Sequence, residues 1–277
     1  MSQRASFIDQ LNRRWIDDDT LLCVGLDPAL SRLPKAIAAR NDALFSFCAG
    51  VVDATAEFVC AFKPQIAYFA AAGAEDQLTR LIAHIHQAHP GIPVLLDAKR
   101  GDIGDTARLY AVEAFERYDA DAVTVNPYLG HESIAPYLAY EDRGVFLLCR
   151  TSNPDSAWLQ DHPHDDPVFL RVARSAADWN EHGNLMLVAG ATYAQDLQRI
   201  RQAVGQMPLL VPGIGAQGGD LAATLAAGLD GNGRGMLINA SRSVIYAGDE
   251  DSTAAAAARN LRDQIREGRR TLLTKRP

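Results

Sequence analysis

The chain has 277 residues, of which 48% are hydrophobic and 22% charged, and its formal net charge is -7. This length suits one large α/β barrel, and the apolar content excludes a disordered chain. The acidic balance excludes a surface that is basic throughout, so we expect no binding to nucleic acid or to a membrane. An anionic ligand would need a local positive site.

The N-terminal segment is interrupted by charges, so it does not resemble a secretory signal, and no apolar stretch is long enough to span a bilayer. The four cysteines form no CxxC pair, and Cys23 and Cys149 lie within apolar runs. These features predict a cytoplasmic protein with reduced thiols. His162 and His164 stand close together, but their segment is polar and contains proline, which predicts a loop and no metal site.

Eight short apolar runs bounded by turn residues predict buried parallel strands, beginning near residues 21, 59, 93, 121, 144, 185, 208 and 235. Helical spacing separates them over residues 43–58, 77–88, 107–117, 169–180, 194–203 and 220–227. Because strands and helices alternate without a hairpin signal, the pattern favours a TIM (β/α)8 barrel over a doubly wound sheet. We expect one barrel domain over residues 1–277, with N-terminal and C-terminal helices.

One long excursion, residues 151–166, follows the fifth predicted strand. Connections of this length are often functional loops at the active face of a barrel, so a mobile loop there is one interpretation. A passive surface insertion is the other, and the sequence leaves both open.

Charged residues interrupt the third strand, PVLLDAKRGDIGDT, at Asp97 and Lys99. The two-residue period of a strand places both on one face, and the carboxyl end of a barrel strand is where active sites form. A structural ion pair is the alternative, since two buried charges cost several kcal/mol unless they are paired. Lys63, near the end of the second strand, and Asp102, just beyond the third, would extend an alternating Lys-Asp array. This concentration of charge favours a catalytic site.

A glycine-rich turn, PGIGAQGGD, follows the seventh strand at residues 212–220. It contains GxGxxG, but a dinucleotide fingerprint would follow the first strand of a βαβ unit. The late position instead favours a phosphate site built by the loops after strands seven and eight, with Arg242 as a bidentate partner. A tight turn and a surface ion pair are the alternatives. Asp27 and Ser152 could bind a polar ligand or only bond within their own turns.

The motif D-x-K-x-x-D-I-x-x-T, from Asp97 to Thr106, together with the glycine-rich turn, resembles the orotidine 5'-phosphate decarboxylase family and specifically its longer bacterial group. The likeness runs over about residues 27–242. It implies conversion of orotidine 5'-monophosphate to uridine 5'-monophosphate (UMP) and CO2, the last step of UMP biosynthesis, without a cofactor or metal. One departure is Ser241, where compact members carry glycine before the phosphate arginine.

The resemblance also implies a role for each matching residue. Lys99 would donate a proton to C6 of the pyrimidine, Asp27 and Lys63 would contact the ribose hydroxyls, and Ser152 would contact the ring. Asp102 and Thr106 would reach the neighbouring subunit's site, which implies a homodimer. The catalytic set is then Lys99, Asp97, Lys63 and Asp102, and the substrate-binding set is Asp27, Ile103, Thr106, Ser152, Pro212, Gln217 and Arg242.

Two other functions compete with this one. Keto-sugar phosphate decarboxylases and hexulose phosphate aldolases resemble the same barrel, but they use Mg²⁺ and place a carboxylate at the end of the second strand, where this chain has Lys63. A noncatalytic nucleotide-binding barrel would keep Gln217 and Arg242 without needing Lys99. The charged third strand favours the cofactor-free decarboxylase.

Overall fold

The computed structural model describes residues 4–214, 220–248 and 251–274. All eight predicted strands are present. They are β1 (Leu22–Leu26), β2 (Ala61–Pro64), β3 (Leu95–Arg100), β4 (Ala122–Val125), β5 (Gly144–Arg150), β6 (Leu185–Ala189), β7 (Leu209–Pro212) and β8 (Met236–Ala240).

Helices lie between the strands and at both ends of the described chain. They are α1 (Phe7–Ile16), α2 (Lys35–Ala38), α3 (Ala43–Thr55), α4 (Ile66–Ala70), α5 (Glu75–Ala88), α6 (Gly104–Val112), α7 (Ala135–Leu138), α8 (Ala157–Gln160), α9 (Val168–Trp179), α10 (Ala194–Val204), α11 (Leu221–Gly228), α12 (Arg242–Ile245) and α13 (Asp251–Leu273). None in the described part of the chain is long and apolar enough to cross a membrane.

The strands form one parallel sheet in the order β2-β1-β8-β7-β6-β5-β4-β3. The two end strands, β2 and β3, meet only through the isolated bridges Phe62–Val94 and Gln65–Asp97. A hydrogen bond from Phe62 N to Pro93 O, 3.1 Å long, supports this seam. The sheet therefore curves into a nearly closed barrel, which confirms the predicted fold class.

Helix packing around the barrel follows the apolar spacing of the sequence. On α5, Leu78, Leu81, Ile82 and Ile85 are buried, which is the spacing of one helical face. Below the strands, Phe7 of α1 packs edge-on against Phe146 of β5 at 5.7 Å between ring centroids. These contacts cover the outer face and the amino end of the barrel, and they leave the carboxyl end open for a ligand.

Two predicted helices end earlier than expected. The segment predicted over residues 43–58 is helical to Thr55 and continues as a 3-10 turn, Ala56–Phe58. The segment predicted over residues 107–117 begins earlier, at Gly104, and changes to a π turn over Glu113–Arg117. All four cysteines are buried and free, as expected for small core side chains.

Candidate active site

A cavity of about 450 Å³ lies at the carboxyl ends of the strands. Its walls come from strand ends on opposite sides of the barrel, which is how this fold brings residues distant in sequence together. The predicted site residues that line it are Asp27, Lys63, Asp97, Lys99, Ser152, Pro212 and Arg242. Gln217 lies outside the described residues.

Asp97 is the centre of a charged cluster on one wall of the cavity. Lys63 Nζ donates to Asp97 Oδ2 at 3.0 Å, and Lys99 Nζ donates to Asp97 Oδ1 at 2.6 Å. Lys63 and Asp97 are buried, whereas the Lys99 side chain is 47% exposed. The cluster therefore holds one ammonium inside the barrel wall and presents the other to the cavity.

Mutual attraction sets the charge of the buried pair. Burial alone would raise the pKa of Asp97, but the positive charges of Lys63 and Lys99 outweigh it and hold this pKa well below its usual range. Burial alone would lower the pKa of Lys63, but the carboxylates of Asp97 and Asp27 raise it above its usual range. Asp97 is therefore anionic and Lys63 cationic at neutral pH.

The backbone at Lys99 departs from a regular strand. Its φ is +48°, and the pairing of β3 with β4 shifts register between Leu96 and Arg100. The amides of Ala98 and Lys99 both donate to Thr124 Oγ1, at 3.0 and 2.9 Å. The side chains of Asp97 and Lys99 thus meet as predicted. The left-handed backbone of Lys99 at the strand end brings them together, whereas the prediction rested on the regular alternation of side chains along a strand.

Thr124 completes this arrangement, although the sequence analysis did not predict it as a site residue. Its hydroxyl accepts the two backbone N–H groups and donates to Asp97 Oδ1 at 2.8 Å. It therefore fixes both the carboxylate and the backbone that carries Lys99. Threonine is an ordinary strand residue, so no signal in the sequence marks it out.

The neighbouring wall, from β1 and β8, carries buried polar atoms that have no hydrogen-bond partner among the described residues. Within the described residues, Asp27 Oδ1, Asn239 Oδ1 and Ser241 Oγ accept or donate no hydrogen bond, and all three residues line the cavity. Glycine at position 25 makes room here, since a Cβ on it would lie 2.9 Å from Ser241 Cβ. Buried polar groups require partners, so this wall is suited to a ligand with several hydroxyl or carbonyl groups.

Asn239 is a second residue that the sequence analysis missed. It interrupts the apolar strand β8 in GMLINA, just as Asp97 interrupts β3. The same criterion, a polar residue near the carboxyl end of a buried strand, would have found it.

Arg242 lies where the sequence predicted the phosphate site. Arg242 begins α12 and is exposed, and across the described residues no hydrogen bond or ion pair engages its guanidinium. Pro212, Gly213 and Ile214 at the end of β7 line the same part of the cavity. Gly213 has φ +103°, which favours glycine. An anion bound here would meet a positive charge that no described residue neutralises.

The excursion over residues 151–166 is tied to the barrel by a buried arginine. Arg150 forms ion pairs with Asp161 at 3.1 Å and Asp196 at 3.1 Å, and it donates to Ser156 Oγ at 2.6 Å. The first residues of the excursion pack closely against Gly190. A larger residue at position 190 would clash, because its Cβ would lie 2.9 Å from Ser152 Cβ. Thr151, Ser152 and Asn153 line the cavity, which favours a functional loop over a passive insertion.

Three predicted residues do not line this cavity. Asp102 Oδ1 accepts a hydrogen bond from Ile103 N at 2.8 Å, whereas Ile103 is 51% exposed and Thr106 is also exposed. The expected Lys-Asp-Lys-Asp array therefore does not extend to Asp102 within one chain, because the backbone turns away from the barrel mouth into α6.

Most of the chain is similar to proteins of one known family. A family model described as the orotidine 5'-phosphate decarboxylase / HUMPS family matches residues 20–257. The orotidine 5'-phosphate decarboxylase of Dechloromonas aromatica is 59% identical over 265 residues, covering 94% of this chain and 98% of that protein. The one from Azoarcus sp. is 58% identical over 264 residues, covering 94% and 98%.

Among solved structures, the OMP decarboxylase of Leishmania donovani superposes with a TM-score of 0.84 at 41% identity, covering 95% of this chain and 98% of that one. Fold, sequence and the charged barrel mouth agree in these comparisons. The expectation drawn from the third-strand motif is confirmed at the family level: the chain belongs to the orotidine 5'-phosphate decarboxylase / HUMPS family.

Proposed function

We propose that this chain converts orotidine 5'-monophosphate to UMP and CO2, the final step of UMP biosynthesis, with Lys99 as the proton donor. The observation that carries the proposal is the Lys63–Asp97–Lys99 cluster in a cavity that Arg242 also lines. Relatives that are 55–59% identical are named for this decarboxylation.

The half-exposed ammonium of Lys99 suits the chemistry. When the bond between C6 and the carboxylate breaks, its electron pair stays on C6 and CO2 leaves. A nearby positive charge stabilises the developing carbanion, and a proton then passes from Lys99 Nζ to C6. Asp97 accepts a hydrogen bond from Lys99 and so holds this donor in place. The Lys99 amine regains its proton from water after UMP leaves.

The rest of the cavity matches the other parts of the nucleotide. In this proposal Arg242 and Gln217 bind the phosphate beside Pro212, Asp27 and Lys63 bind the ribose hydroxyls, and Ser152 binds the pyrimidine. Among the described residues, Asp27 Oδ1 has no hydrogen-bond partner, which supports a hydroxyl ligand, and the Arg242 guanidinium has none either, which supports an anion. Phosphate binding far from C6 would help to order the reacting groups.

Lys63 argues against the Mg²⁺-dependent members of the superfamily. Its ammonium lies 3.0 Å from the Asp97 carboxylate, where those enzymes need negative ligands for a divalent cation. A cation placed there would be repelled by Lys63 and Lys99. A purely nucleotide-binding barrel would not require the buried Lys63–Asp97 ion pair, whose desolvation costs several kcal/mol.

Incubation of the purified protein with orotidine 5'-monophosphate and a chelator tests the activity. We expect UMP to form at the same rate with and without the chelator.

Lys99→Ala should lower turnover by at least about 100-fold while UMP still binds, because the proton donor and stabilising charge are lost. The exposed Lys35 on α2 provides the control, Lys35→Ala. No UMP, or UMP only with added Mg²⁺, would refute the proposal.

We also propose that the chain is a cytoplasmic homodimer in which Asp102 and Thr106, with Ile103, complete the neighbouring site. Exposed apolar side chains on α6 and after β4, among them Ile103, Leu109 and Tyr128, support a covering partner. The free cysteines support a reducing compartment.

Mixing inactive Lys99→Ala and Asp102→Ala protomers tests the shared site. Each heterodimer would regain one intact site of two, so random mixing should restore about a quarter of the wild-type activity. Heterodimers confirmed by native mass spectrometry that remain inactive would contradict the shared site without contradicting the decarboxylase activity.

A further inference from the structure

We propose that Asp53, His84 and His89 form a binding site for a divalent transition metal ion of the Zn²⁺ class. Asp53 lies near the end of α3, His84 near the end of α5, and His89 directly after α5. β2 and β3 begin shortly after these helices end, so the site is at the amino end of the barrel, opposite the cavity. It has no part in the proposed decarboxylation.

The three side chains converge on one point. His84 Nε2 lies 2.7 Å from Asp53 Oδ1, and His89 Nε2 lies 2.8 Å from the same oxygen. All three candidate ligand atoms fall within 4.8 Å of one another. The imidazole rings are nearly perpendicular, at 78°, with centroids 6.1 Å apart. Two ring nitrogens from different turns of the chain therefore approach one position.

Two imidazoles and a carboxylate are a typical ligand set for Zn²⁺. Ligand bonds of about 2.0–2.1 Å in a tetrahedron separate the ligand atoms by about 3.3 Å, so the present contacts need to open by about half an ångström. The Asp53 side chain is 53% exposed and can move by this amount. In the metal-bound form each ring carries its proton on Nδ1 and presents the Nε2 lone pair, and water takes the fourth position.

Packing holds the ligands ready for an ion. Phe45 meets the His84 ring edge-on at 6.1 Å, which limits rotation of that imidazole. α3 and α5 are fixed on the barrel by buried apolar faces. A bound ion would join α3 to the turn between α5 and β3, and it would stabilise the folded chain by mass action. Without metal, the same contacts serve only as a hydrogen-bonded link between the helices.

Metal titration of the whole protein tests this proposal. Co²⁺ should give the visible absorption of a protein-bound ion with one equivalent per chain, and Zn²⁺ should displace it and raise the melting temperature. His84→Ala/His89→Ala should abolish the saturable signal, and Asp53→Asn should weaken binding by about tenfold or more. The control is His162→Ala/His164→Ala, which removes another neighbouring histidine pair, with ring centroids 4.4 Å apart.

Saturable binding that survives in the His84→Ala/His89→Ala variant would overturn the site, as would wild-type protein that binds no Co²⁺ or Zn²⁺. Loss of binding in the control variant instead would place the ion at His162 and His164. Asp53→Asn preserves the shape of the side chain, so it keeps the test decisive if the double variant folds poorly.

Discussion

Lys99 occupies a backbone conformation that side chains other than glycine rarely adopt. Its φ of +48° costs about 1–2 kcal/mol, and Thr124 offsets this cost by accepting the N–H groups of Ala98 and Lys99. The strain bends the end of β3 so that the ammonium reaches the Asp97 carboxylate. One hydroxyl group thus determines where the proposed proton donor lies.

Replacing Thr124 tests this dependence. Thr124→Val keeps the shape but leaves two partly buried N–H groups without an acceptor, so we expect a loss of about 1–3 kcal/mol in unfolding free energy. A displacement of Lys99 should lower kcat by about 10–100-fold with a smaller change in KM. Thr124→Ser retains the hydroxyl and should preserve both quantities. Unchanged kcat in Thr124→Val would show that the hydroxyl does not position Lys99.

The residues found from the sequence share a property that Thr124 lacks. Charged side chains interrupt apolar strands at Asp97, Lys99 and Lys63. Because burying an unpaired charge costs several kcal/mol, such positions indicate a functional site. Thr124 acts by a hydrogen bond that depends on a shifted register between β3 and β4. Such a shift results from tertiary structure, and strand periodicity does not reveal it.

Arg150 fixes the excursion after β5 to the barrel. It is fully buried and pairs with both Asp161 and Asp196, the latter of which also meets Arg199 at 3.7 Å. Its guanidinium also lies 4.2 Å from the centroid of the Tyr193 ring. The first residues of the excursion are therefore held at the cavity, including Ser152.

Removing this anchor should destabilise the protein strongly. Arg150→Met fills much of the space but removes the cation that pairs with Asp161 and the nearer of the two that pair with Asp196, which should cost about 3–5 kcal/mol in urea unfolding. Arg171→Met is the matched control, because Arg171 forms an exposed ion pair with Asp166 and its loss should cost about 0–1 kcal/mol. Equal losses in the two variants would contradict the anchoring role.

The order of strands and helices was predictable because apolar runs and helical spacing are local in sequence. The end of the helix predicted over residues 107–117 could not be predicted, because the residues of the π turn Glu113–Arg117 have the same apolar spacing as an α-helix. The anchoring of residues 151–166 also could not be predicted. It depends on Arg150 meeting Asp196, which lies 46 residues away in the chain.

Asp121 links several elements at the amino end of the barrel. It accepts hydrogen bonds from Val94 N at 2.8 Å and Gln10 Nε2 at 3.2 Å, and it contacts His86 Nε2 at 2.8 Å. Burial alone would raise the pKa of Asp121, but the His86 contact and the other partners outweigh it and lower this pKa. The ionised carboxylate therefore stabilises the whole fold.

The sign of this effect predicts acid sensitivity. A folded-state pKa below the unfolded value of about 3.9 means that the stabilisation is complete above that value and is lost as pH falls through the folded pKa. The unfolding free energy of the wild type should thus decrease in acid more steeply than that of Asp121→Asn. Urea titrations between pH 7 and pH 3 measure both slopes, and parallel slopes would contradict the linkage.

The seam between β2 and β3 divides the proposed catalytic cluster, with Lys63 on one side and Asp97 on the other. Isolated bridges hold this seam, whereas parallel ladders join each other pair of neighbouring strands, so partial opening should begin here. Separation of Lys63 from Asp97 would inactivate the protein while most of its barrel stays folded. Activity should therefore disappear at a lower urea concentration than the far-ultraviolet circular dichroism signal, and the Phe62 amide should exchange its proton earlier than amides in β5 and β6.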